Sequence, residues 1–198
     1  MDTKDHILRT AFSFFIKRSY KAVTMSDLEK ATGLTKGAFY HYFKSKEDIY
    51  IEVIDKFFLA NHIPRNEEIE EKGSLQDYIN LHITHIETIA QKLKEITNIE
   101  CPDPTSVSLI LEAKEYYPGF NDKLKELADI IFRKWERVIS RAKRNGEIVV
   151  DIESDILAEN FISIGYSVFR FVMMSRSFEF SISQVKLQYM QLYKLVKK

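Results

Sequence analysis

Apolar side chains recur every three or four positions along nearly the whole chain, a spacing that predicts helices and no strands. Ile7, Leu8, Ala11, Phe12 and Phe15 form one stripe of a first helix from about Thr3 to Arg18, with Thr3 as its N-cap and its end before Ser19 and Tyr20. A short second helix follows Thr24, whose hydroxyl can cap the first turn while Asp27 stands three residues on, with Leu28 and Ala31 as its buried positions. Thr32-Gly33-Leu34 makes a tight turn, since Gly33 can take the positive φ that a helix end often requires. A third helix runs from near Thr35 to Phe43. Ser45, with Asp48 three residues later, caps a longer helix from Lys46 to about Asn61.

Beyond Asn61 the pattern breaks. Residues Asn61 to Gly73 hold Pro64 and the acidic run Glu67, Glu68, Glu70 and Glu71, which reads as a break or mobile segment between helices. Five further helices are expected, from Ser74 to Thr97, about Thr105 to Tyr116, Gly119 to Arg144, Ser154 to Arg176 and Ser181 to Val196, with Pro102, Pro104, Pro118 and Gly146 at their joints. The fold class is therefore all-α, with about nine helices in two domains: a head over residues 1–61 and a larger helical body over residues 62–198.

Charge sharpens that division. The first 46 residues carry nine basic and four acidic side chains, a net of +5, and the other 152 carry 20 basic and 25 acidic ones, a net of −5. A basic head on an acidic body is what results when only one end must approach a polyanion. No stretch reaches the roughly 20 apolar residues of a membrane-spanning helix, and the expectation is a soluble, cytoplasmic protein with no membrane partner. The single cysteine, Cys101, has no internal partner for a disulfide. His82 and His85 lie one helical turn apart near Glu87 but lack a third ligand at telling spacing, so neither a metal nor a cofactor is expected.

Function is concentrated in Thr24 to Lys46. Two short helices around a glycine turn, with Leu28, Leu34 and Phe39 in the seam and small Ala31 allowing a close crossing, meet the physical requirement of a helix-turn-helix. The second of them shows Thr35, Lys36, Tyr40 and His41 and no acidic group, a composition suited to a major groove. The ordered run T-M-S-D-L-E-K-A-T-G-L-T-K-G-A-F-Y-H-Y-F-K-S-K resembles the signature of the tetracycline-repressor (TetR) family of bacterial regulators, and the resemblance extends from about Asp5 to Phe58. It implies that Thr24 and Lys46 anchor phosphates, and that Lys36, Gly37, Tyr40 and His41 face the groove beside the helix-capping Thr35. Gly37 would allow close approach to a base edge, Tyr40 would meet a thymine methyl or a phosphate, and Tyr42 and Lys44 would touch the backbone. The chain departs from the family pattern at Ser19, where many members have Gly, and at Ala38, where many carry Thr or Ser.

The helix from Ser154 to Arg176 is apolar on two stripes, and such a helix needs cover on both sides. With the last helix it can form a four-helix bundle across a two-fold axis, through Phe161, Ile164, Gly165, Val168, Phe169, Val185, Tyr189 and Leu192. The resemblance implies the same homodimer, and a small-molecule effector bound in the body. Trp135, Tyr116, Phe120, Phe161 and Phe169 are the aromatic residues expected to line its pocket. No phosphate loop, nucleophile elbow or catalytic carboxylate pair points to an enzyme. The expected protein is a DNA-binding repressor that a ligand releases from double-stranded operator DNA; the alternative is a helical interaction module whose head no longer binds DNA.

Overall fold

The computed structural model describes residues 2–98, 104–149, 151–174 and 177–198, together with all their side chains except those of residues 104–107, 169, 172 and 173. Cys101 lies outside the described residues. Among the described residues ten α-helices follow one another: α1 (Thr3–Ala22), α2 (Met25–Thr32), α3 (Lys36–Tyr42), α4 (Lys46–Val53), α5 (Glu67–Lys72), α6 (Leu75–Thr97), α7 (Pro104–Tyr116), α8 (Phe120–Arg144), α9 (Ser154–Met173) and α10 (Phe178–Val196). No strand occurs among the described residues, only an isolated bridge between Ile148 and Lys197. The all-α expectation holds.

The chain divides into two compact units, residues 1–62 with 91–124, and residues 63–90 with 125–198. In the first, the stripe read from the sequence is the buried face of α1: Ile7, Leu8, Ala11, Phe12, Phe15 and also Ile16. They pack with Leu28, Phe39, Phe43, Ile49, Tyr50 and Val53, and with Leu109, Ala113, Tyr117 and Phe120. Thr32, not Ala31, shares the buried face of α2 with Leu28. Its hydroxyl donates to the Glu29 carbonyl at 2.8 Å, and His6 donates to the Thr32 carbonyl at 3.1 Å, so the polar group is satisfied where it is buried.

Asp2, not Thr3, occupies the N-cap position of α1, with no capping bond from its side chain, and the helix runs past its expected end to Ala22 by way of a break at Ser19 (φ 68°, ψ 157°). That corner of backbone space belongs almost wholly to glycine, and a serine held there costs about 1–3 kcal/mol. The expected single helix from Lys46 also divides: α4 passes into a π-helical turn over Ile54–Phe58 and a 3-10 turn over Leu59–Asn61.

The acidic run expected as a connection is helical, and side chains far away in sequence explain why. The Asn66 side chain accepts from the Ile69 amide at 3.1 Å, and Glu67, Glu68 and Glu70 sit in the first turn, where the helix dipole favours them. At the other end Arg141 donates to the carbonyls of Glu70 (2.6 Å), Ile69 (3.2 Å) and Gly73 (2.6 Å), and Lys134 pairs with Glu70 at 2.6 Å. A six-residue helix is unstable alone. Here its orphan carbonyls are closed by a guanidinium.

Trp135 centres the second unit. Its ring is stacked on Phe161 at 5.2 Å and 7°, lies near-parallel to Tyr189 at 5.9 Å, meets Tyr78 edge-on at 4.8 Å and rests 4.6 Å from His82. Glu147 joins three segments by accepting from the amides of Leu75 and Gln76 at the start of α6 and from the Tyr193 hydroxyl.

His82 is the one buried side-chain polar atom site without a hydrogen-bond partner among the described residues: its Nε2 finds none. Burial chiefly, with the nearby charges of His85 and Lys134, lowers its pKa from 6.5 to about 3. The folded chain thus refuses a proton that the unfolded chain accepts near pH 6.5. Stability should fall as the pH drops from that value towards 3, by up to about 1.4 kcal/mol per pH unit for this group. Urea midpoints of the wild type and His82→Phe at pH 7 and 5.5 check it: the variant should lose part of the acid sensitivity, and identical pH dependence in both proteins would refute the assignment.

Candidate nucleic-acid interface

Capping residues define the segment from Thr24 to Val53 turn by turn. The Thr24 hydroxyl accepts from the Asp27 amide at 3.2 Å and donates to Asp27 Oδ2 at 2.7 Å, while the Thr24 amide donates to the same carboxylate at 2.9 Å. These bonds from Thr24 hold the Asp27 carboxyl below its usual pKa. Gly33 ends α2 in the left-handed conformation at φ 68°, open to glycine without strain. Thr35 then caps α3 by accepting from the Ala38 amide at 3.3 Å, and Ser45 caps α4 in a reciprocal pair with Asp48.

Helix α3 has seven residues, of which only Phe39 is buried. Thr35, Lys36, Gly37, Tyr40, His41 and Tyr42 are all exposed, as are Thr24 and Lys44, so nearly the whole expected contact set meets solvent. Tyr40 and Tyr42 are 37% and 38% exposed, high for large aromatics, whose burial would otherwise be favourable. The Lys36 ammonium lies 5.9 Å from the Tyr40 ring, and His41 meets Tyr42 edge-on at 5.3 Å. Elsewhere in the same unit Lys4, Arg9 and Lys56 are held in ion pairs with Glu52 and Asp5. Lys36 and Lys44 make no such pair among the described residues, which leaves their charge facing outwards. Gly37 is not required by the fold: a Cβ there would meet nothing within 4 Å, and its φ is not positive.

Lys46 stands apart. It is partly buried, its ammonium donates to the carbonyls of Tyr20 (2.8 Å) and Val23 (2.9 Å), and it lies 4.1 Å from the centre of the Tyr20 ring. Burial lowers its pKa, opposed by the charge of Glu112. Two of its three donors are thus committed inside the chain. Its sequence spacing carried no sign of this, because the carbonyls it closes lie 26 and 23 residues away.

The residues expected to line a pocket are distributed over both units. Tyr116 stacks on Tyr20 at 4.5 Å and Phe120 belongs to the core of the first unit, whereas Trp135 and Phe161 stack on each other in the second. The Phe169 side chain lies outside the described residues. Of the expected dimer residues, Phe161, Val168, Val185 and Tyr189 are buried within the single chain, and their stripe is a core stripe because the chain's own helices cover it. Ile164, Gly165 and Leu192 are partly exposed, and the outward apolar positions on α9 and α10 include Ile156, Tyr166, Phe180, Leu187 and Leu195.

Two short capped helices about a left-handed glycine, the second with an outward cationic and aromatic face, make this a helix-turn-helix protein. Residues 7–53 match the family described as bacterial regulatory proteins, tetR family. It is 32% identical over 79 residues to the HTH-type transcriptional repressor NemR of Escherichia coli K12, a match covering 39% of this chain and 40% of that protein. To the HTH-type transcriptional regulator QacR of Staphylococcus aureus it is 38% identical over 55 residues, 28% of this chain and 29% of that one. These alignments therefore span well under half of either relative. A longer match, 24% identical over 167 residues, covers 82% of this chain and 77% of the HTH-type transcriptional repressor BepR of Brucella suis. Among solved structures, a SmeT-triclosan complex aligns over 100% of this chain and 93% of its own with a TM-score of 0.72 at 16% identity. Reduced NemR of E. coli aligns over 100% and 98% with a TM-score of 0.65 at 19% identity. Both support the fold. No described helix is long and apolar enough to cross a membrane.

Proposed function

We propose that the chain is a sequence-specific regulator of transcription, a repressor that acts as a homodimer in the cytoplasm and that a small molecule bound in its body releases from operator DNA. The observation that carries this reading is the outward face of α3, where Lys36, Gly37, Tyr40 and His41 are exposed together on a helix anchored from behind by Phe39. In a major groove Lys36 and Lys44 supply charge for phosphates or base acceptors, and Tyr40 supplies a ring for a thymine methyl and a hydroxyl for a polar edge. Thr24, Thr35, Tyr42 and His41 flank that face. Lys46 contributes through the donor its internal bonds leave over.

The second copy would pack on α9 and α10 through Ile164, Gly165 and Leu192 together with the exposed Tyr166 and Leu187. The effector would be an apolar molecule meeting the aromatic residues of the body. Names of relatives that describe repressors, and of one solved neighbour complexed with triclosan, support the class without fixing the ligand.

Binding of purified protein to the DNA flanking its own gene, measured against random DNA over a range of salt, tests the reading. Tyr40→Ala should reduce affinity for the flanking site at least tenfold and affinity for random DNA little, because a base contact carries sequence information and a phosphate contact does not. Equal losses on both DNAs would refute base readout by Tyr40, and absence of any binding would favour the helical interaction module.

A further inference from the structure

The strained serine is held by its neighbours. Just after Ser19, the Tyr20 amide donates to Glu112 Oε2 on α7 at 2.9 Å, and the Tyr20 carbonyl accepts from Lys46 at 2.8 Å. The Tyr20 ring is stacked on Tyr116 of α7 at 4.5 Å and lies 4.6 Å from Tyr50 of α4. Tyr50 in turn donates its buried hydroxyl to the Leu109 carbonyl of α7 at 2.7 Å. Helix α7 therefore holds its neighbours within the first unit at two polar points, the end of α1 and the middle of α4. Lys46 carries the first grip onward, because its second bond ends on Val23, the residue before the Thr24 cap that starts α2.

We propose that Glu112 is a positioning residue for DNA recognition: its carboxylate holds the Ser19–Tyr20 backbone in its strained form and so fixes how α2 and α3 are presented. A backbone kept off its preferred conformation by an outside bond has two states, held and released. Movement of α7 away from α1 breaks the Glu112 bond, Ser19 relaxes, and the anchorage of Lys46 and of the α2 cap shifts with Tyr20. This rests on the DNA-binding reading above, and it adds the element that sets the geometry of the head.

The test uses the full chain as wild type, Glu112→Ala, Glu112→Gln, Ser19→Gly and the double variant Ser19→Gly with Glu112→Ala. Glu112→Ala should weaken binding to the flanking DNA at least tenfold while changing affinity for random DNA less than twofold. Glu112→Gln keeps a side-chain carbonyl as acceptor and should stay within about threefold of wild type. In the Ser19→Gly background the loss from Glu112→Ala should shrink to about threefold, because glycine occupies that conformation without help. Without DNA, hydrogen exchange at the Tyr20 amide should be slow in the wild type and at least tenfold faster in Glu112→Ala.

A Tyr20 amide unprotected in the wild type overturns the bond itself. Additive losses in the double variant, or equal losses on flanking and random DNA, reduce Glu112 to a general structural contact and overturn the positioning role. A wild type that binds no DNA overturns the functional reading and the positioning role together, whereas wild-type binding unaffected by Glu112→Ala overturns the positioning role alone.

Discussion

Phe39→Ala should cost at least a hundredfold in affinity for the flanking DNA while the spectrum of Trp135, the only tryptophan of the chain, stays native. Phe39 is 0% exposed and is the single buried side chain of α3. A seven-residue helix has no stability of its own, so this one contact surface keeps the helix in register against Leu28 and the α1 core. Truncating a buried phenylalanine costs about 3–5 kcal/mol. That loss falls on the element whose outward face is proposed to read DNA. Trp135, packed in the second compact unit against Phe161 and Tyr189, reports whether the rest of the protein is undisturbed. Retention of affinity within threefold would show that α3 does not carry the binding.

Gly37→Ala should separate stability from function in the opposite sense. Glycine inside a helix is less stable than alanine by about 0.5–1 kcal/mol, and an alanine Cβ at this position would meet nothing within 4 Å. The variant should therefore unfold at a slightly higher urea concentration. If a base edge approaches the Gly37 backbone, the same methyl group collides with it, and affinity for the flanking DNA should fall at least tenfold, equivalent to about 1.4 kcal/mol. A variant that is more stable and binds unchanged would remove Gly37 from the contact surface.

The parts legible in the sequence are those whose causes are local. Thr24 with Asp27, Gly33, Thr35, and Ser45 with Asp48 set the ends of α2, α3 and α4 through bonds to residues three positions away, and a spacing rule can find them. What stayed hidden depends on distant partners. Helix α5 looked like a charged connection because Arg141, which closes its carbonyls, lies some 70 residues further on. The serine at position 19 stood out as a departure from the family pattern, yet the bond beside it runs from the Tyr20 amide to Glu112, 92 residues further on in sequence. Lys46 was legible as a cation near the motif, and its turn back into the chain was not.

The apolar stripes of α9 and α10 show a different limit. Periodicity reports that a face is covered, without saying by what, so Phe161, Val185 and Tyr189 read equally well as a partner's contact or as the chain's own core. The stacking of Phe161 and Tyr189 with Trp135 decides for the core. Likewise Ala31 was expected to be buried on the strength of its size and position, whereas Thr32 takes the place by satisfying its hydroxyl on the Glu29 carbonyl.

Selection of duplexes from a random-sequence pool by the purified full-length chain tests most directly whether α3 reads DNA. The account predicts enrichment of an inverted repeat with half-site centres about 34 Å or somewhat more apart along the duplex, the spacing of two α3 helices related by a two-fold axis, and no enrichment by Phe39→Ala. Failure of the wild type to enrich any sequence at low salt would contradict it.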